Sequence, residues 1–84
     1  MARQIWIGNI PTDITEGQLI LLFKDMKLPV PWKAVMRPAP SGLHQWAIAT
    51  FETGDEARFI LGQRLRWPNG THMVLRQAAT YTPM

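Results

Sequence analysis

Of the residue types most used for proton transfer and metal ligation, this chain of 84 residues has two histidines, six carboxylates and no cysteine. His44 and His72 fall on different predicted strands, and no acidic residue stands at a spacing that would orient either ring. Both are read as ordinary solvated histidines, and no catalytic group, metal or cofactor is assigned. Without cysteine there is neither a thiolate metal site nor a disulfide framework. Walker, GxGxxG and metal-ligand spacings are missing too. The residues that ask for an explanation are aromatic. Between His44 and Phe51 a period of two separates Ala47, Ala49 and Phe51 from His44, Trp46, Ile48 and Thr50. Near the N-terminus, Gln4 and Trp6 alternate in the same way with Ile5 and Ile7. A tryptophan is costly to leave in water unless something covers it. Either these strands are buried on both faces, or one face is open and takes a ligand.

The elements that must position these residues can be read in order. Residues 4–8 are predicted as the first strand, followed by a turn over 9–13 where Pro11 cannot join a ladder. A helix starts at Thr15, which forms a capping box with Gln18, and Ile14 and Leu19 fit a hydrophobic staple around it. Leu19, Leu22, Phe23 and Met26 make its buried stripe, with Leu21 opposite and Pro29 and Pro31 ending the segment. Residues 32–37 are the second strand, with Trp32, Ala34 and Met36 on one face and Lys33, Val35 and Arg37 on the other. The turn at 38–42 leads back into the strand 44–51 as a hairpin. Thr53 and Glu56 repeat the start signal, and Asp55 adds negative charge at the positive end of the second helix. Its stripe is Ala57, Ile60, Leu61 and Leu65, with Phe59 opposite. Pro68, Asn69 and Gly70 make a turn before the last strand, 71–76, in which Met73 and Leu75 point inward and Val74 and Arg76 outward.

Strand, helix, strand, strand, helix, strand is the order of a split βαβ sandwich. The expected fold is therefore α+β and ferredoxin-like: a four-stranded antiparallel sheet with two helices on one face. Ile5, Ile7, Leu22, Phe23, Phe51, Ile60, Leu61 and Leu75 are its expected core. The length suits one domain, 1–84, with a folded part at about 3–78 and a tail over 79–84. A chain of this size buries only about 60% of its unfolded surface. No apolar run approaches the roughly 18 residues of a membrane span, and no charged-then-apolar leader opens the sequence. The chain is read as soluble, intracellular and monomeric, without a membrane partner. Its net charge of +3 permits an acidic partner without demanding one.

With this order in place, the chain resembles the RNA recognition motif family over roughly residues 3–78. Ile5, Trp6, Ile7, Gly8, Asn9 and Ile10 are similar to the family's first-strand signature of aliphatic, aromatic, aliphatic, Gly, Asn, aliphatic. Residues 44–51 resemble the third-strand octet more loosely. Trp46, Ala47, Thr50 and Phe51 fit it. His44 stands where Lys or Arg is usual, Gln45 replaces Gly, Ile48 replaces the second aromatic and Ala49 is a shortened aliphatic. The resemblance implies binding of single-stranded RNA, as one module of a larger RNA-processing or mRNA-regulating protein, in the nucleus ahead of the cytoplasm. It places Trp6 and Trp46 side by side at the sheet centre, each stacking a base. Such a stack is worth about 1–3 kcal/mol and tolerates any sequence. The competing reading packs these rings against the tail, where Tyr81 lies, or against a neighbouring domain.

The departures lower the expected affinity. Ile48 removes a ring, and His44 is a poor substitute for a permanent cation. Backbone contacts then rest on Lys33, Arg37 and Arg76, with Gln4 beside them. Acylphosphatases share this strand order, but the sequence from Asn9 to Thr12 cannot form their Gly-rich anion loop. Some family members instead bind proteins, and Leu21 and Phe59 would lie on the outer helical surface for such a partner. A subset captures a ligand tryptophan with an Arg-x-aromatic motif and an acidic first helix. The run from Arg64 to Trp67 is one residue too long for that motif, and the first helix offers only Glu16 and Asp25.

Overall fold

The computed structural model describes residues 3–78. Its elements are β1 (Gln4–Ile10), α1 (Glu16–Asp25), β2 (Lys33–Pro38), β3 (Gln45–Thr50), α2 (Gly54–Leu61) and β4 (Val74–Gln77). The four strands form one antiparallel sheet in the order β2-β3-β1-β4. This is the ferredoxin-like βαββαβ arrangement. The expected tail, 79–84, with Tyr81, lies outside the described residues.

Local chemistry fixes the ends of the helices. Thr15 Oγ1 accepts from the Gln18 amide at 3.2 Å, and the Gln18 side chain accepts from the Thr15 amide at 2.9 Å. This closes the capping box. α1 stops before its prolines: Lys27 takes a left-handed conformation (φ 59°), and the Leu28 amide donates to Phe23 O at 3.1 Å. That is the geometry of a Schellman cap. At α2, Thr53 Oγ1 accepts from the Glu56 amide as expected, but the Glu56 carboxylate reaches back to the Glu52 amide. α2 is also shorter than its apolar stripe suggests, since it ends at Leu61 with Gly62 as the cap. Leu65 instead begins a small ribbon, in which Met73 donates to Leu65 O and Trp67 to Thr71 O, turning at Pro68 and Asn69.

The core lies between the helices and one face of the sheet. Ile5, Ile7, Phe23, Phe51 and Ile60 are fully buried, together with Ile10, Leu19, Ala47 and Ala49. The Phe23 and Phe51 rings meet at 6.3 Å between centroids. Leu22, Leu61 and Leu75 pack against this cluster but remain partly exposed. β1 runs on to Ile10, so two residues expected in the turn belong to the strand. A bulge between Ile7 and Ile10, with Asn9 at φ 62°, breaks its register and turns Ile10 into the core.

Two tryptophans lie where strand alternation does not put them: Trp67, for which the sequence carried no expectation, and Trp32, which lies opposite to expectation. Trp67, from the loop after α2, is 2% exposed and is the largest fully buried side chain. Its Nε1–H has no hydrogen-bond partner among the described residues, a cost of about 1–3 kcal/mol that burial of its ring area must exceed. Trp32, expected inside with Ala34 and Met36, is 62% exposed. β2 begins only at Lys33, and the Trp32 amide bonds to Thr50 O, one residue out of register. Strand alternation therefore does not extend to Trp32, whose ring carries the Arg3 guanidinium at 5.6 Å.

Candidate functional site

Residues facing each other across an antiparallel pair project from the same side. The register therefore builds the face away from the helices row by row. Val35, Ile48, Trp6 and Arg76 are successive partners across all four strands. The next row holds Lys33, Thr50 and Gln4, and on the other side of Trp6 lie Arg37 and Trp46. Seven of the eight sequence-predicted residues thus share one face: Gln4, Trp6, Lys33, Arg37, Trp46, Ile48 and Arg76. His44 is exposed one residue before β3 begins, and its carbonyl closes the β2–β3 turn by accepting from the Ala39 amide.

The rings of Trp6 and Trp46 are 6.4 Å apart between centroids with planes inclined by 22°. Two nearly parallel, adjoining indoles, each half-buried, make one apolar surface. Gly8 is what lets the first one lie down: a Cβ at that position would overlap the Trp6 six-membered ring. Next to the rings, Gln4 Nε2 donates to Thr50 Oγ1 at 3.4 Å, a long bond that orients the amide.

The strands carry charge of one sign only. None of the six carboxylates lies on a strand; all belong to the helices and loops. Lys33, Arg37 and Arg76 are the charged residues of the strands, and all three are exposed on the open face. Aromatic surface beside cations, on strands that carry no carboxylate, can stack a flat ring and hold an anion beside it. Among the described residues, no group of three or more His, Asp or Glu could hold a metal ion.

Three residues of structural consequence escaped the sequence reading. Gln45, at the position where the resembled pattern has Gly, donates from Nε2 to the carbonyls of Pro11 and Ile14, each at 2.9 Å. It ties β3 to the loop that leaves β1. Glu16 Oε2 accepts from the Ala34 amide at 2.8 Å, so a helix residue covers the free edge of β2. Gly8 carried a visible signal, being a glycine two residues after an outward ring. On the helical side, a groove of about 390 Å³ runs between α1 and the Pro68–Asn69 turn, lined in part by Leu21, Leu22, Asp13 and Asp25. Leu21 and Phe59 are both exposed, but only Leu21 lines the groove.

No protein-family model matches this chain, and no curated protein matches it. Among the described residues no helix is long and apolar enough to cross a membrane.

Proposed function

We propose that this domain binds single-stranded RNA on its open sheet face, in the manner of an RNA recognition motif. The observation that carries the reading is the Trp6–Trp46 pair, two adjoining indoles held flat on a face with cations and no carboxylate. Unpaired bases present flat apolar faces to such a surface, and Lys33, Arg37 and Arg76 lie where phosphates would pass. With at most a handful of cations engaged, affinity is modest, which suits one module of a larger RNA-processing or mRNA-regulating assembly, and with it a nuclear location. The role is that of a binding module, not of an enzyme. Monomeric behaviour fits the covered β2 edge, where Glu16 takes the Ala34 amide and Arg37 donates to Met36 O at 3.0 Å.

The test is an NMR titration of the labelled domain with a panel of short single-stranded RNAs. The expected outcome is shifts at Trp6, Trp46, Ile48 and their strand neighbours, with the two indole N–H signals moving most. A second reading, a protein partner on the helical side, rests on the groove beside the exposed Leu21. Silence on the sheet face against the whole panel would sink the RNA reading and leave that one.

A further inference from the structure

The Arg76 guanidinium stands over the Trp6 indole, 5.7 Å from its centroid. Register is the cause, since Arg76 is the β4 partner of Trp6 and projects from the same face. The indole lies against the backbone at Gly8, so only its outer face is left for a ligand. In the free protein that face already has an occupant. Among the described residues, Arg76 has neither a carboxylate nor a hydrogen-bond partner to hold it elsewhere.

We infer that Arg76 is a placeholder on Trp6: an arriving base displaces the guanidinium from the ring, and the guanidinium moves to a phosphate of the same strand. This rests on the reading of the sheet face as an RNA platform. A cation–π contact at an exposed site is weaker than a base–indole stack, so the base wins the ring. The displaced guanidinium, on a long flexible stem at the sheet edge, then gains a charge-assisted bond to phosphate. Arg76 therefore opposes binding through the ring and favours it through its charge. Salt screens the phosphate attraction, while the competition for the ring persists. The balance between the two roles is set by ionic strength.

The experiment measures fluorescence anisotropy of end-labelled single-stranded RNA, an octamer of alternating cytidine and adenosine, with wild type, Arg76→Ala and Trp46→Ala. Titrations are run at about 50 mM and about 500 mM KCl. One phosphate contact on a single strand adds about 0.7 to the log–log salt slope, so the affinity ratio of wild type to Arg76→Ala should fall about fivefold between them. Arg76→Ala is expected to bind more weakly than wild type at low salt, and as tightly or more tightly at high salt. In parallel, the Arg76 side-chain protons should carry an upfield ring-current shift in the free protein that disappears when the RNA is added. A variant still weaker than wild type at high salt, or unchanged at low salt, overturns the placeholder role; so does a ring-current shift that survives binding. Wild-type binding that remains sensitive to Trp46→Ala in those cases leaves the RNA platform standing. Failure of the wild type to bind at low salt removes the platform and the placeholder together.

Discussion

Ile5 and Trp6 are neighbours on β1, yet they belong to two different surfaces. Ile5 is fully buried beneath the helices, while Trp6 lies half-exposed beside Trp46. The same division runs along β3, where Ala47 and Ala49 are sealed and Trp46 and Ile48 are not. Small alanines on the inner face let the helices approach, and large rings on the outer face would clash with any helix placed there. Up to the bulge of β1, the odd-numbered residues of these strands thus serve the core and the even-numbered ones form the open face. The two sets can be changed independently so long as the pleat is kept.

The sharpest test of that independence is Phe51→Ala on the inner face. Deleting a fully buried ring that packs on Phe23 should cost about 3–5 kcal/mol of stability, measured by denaturant unfolding. RNA affinity per folded molecule should hardly change. Trp46→Ala is the mirror experiment on the outer face: RNA binding should weaken by about 1–3 kcal/mol, with a much smaller loss of stability. Should Trp46→Ala unfold the domain, with RNA binding falling only in proportion to the folded fraction, the division between the faces fails.

Gln45→Ala probes the border of the two surfaces. Two part-buried carbonyl partners lose their donor, so a stability loss of about 1 kcal/mol is expected from thermal melting. Because β3 then loses its tie to the loop after β1, Trp46 should also become less well ordered by NMR. The smallest effect belongs to Ile48→Phe. A third ring beside Trp6 should strengthen RNA binding by about 1 kcal/mol, the lower end of what one stack is worth, without altering the melting temperature. Weaker binding by this variant would mean that Ile48 packs against the indole and does not receive a base.

Much of this architecture was legible because its causes are local. The period of two in β1 and β3, the period of three to four in the helices, and Thr15 with Gln18 are each contained in a few consecutive residues. They assign elements, faces and starts without reference to the rest of the chain. The pairing of Trp6 with Trp46 also followed, because the strand order of the resembled family puts β1 beside β3. What was missed depends on residues distant in sequence or on broken periodicity. A helical stripe running on to Leu65 hid the end of α2 at Gly62, since apolar spacing cannot tell a helix turn from the start of a ribbon.

Sequence by itself determined which side chains alternate and where helices begin. Tertiary structure decided which tryptophans are wet. Trp67 is buried because the ribbon from Leu65 to Met73 folds it back onto the core, and Trp32 is exposed because β2 starts one residue later, after an out-of-register bond to Thr50. An indole carries the same apolar area at all four positions. Its burial depends on what the rest of the chain brings over it, and that is fixed by contacts no local pattern encodes.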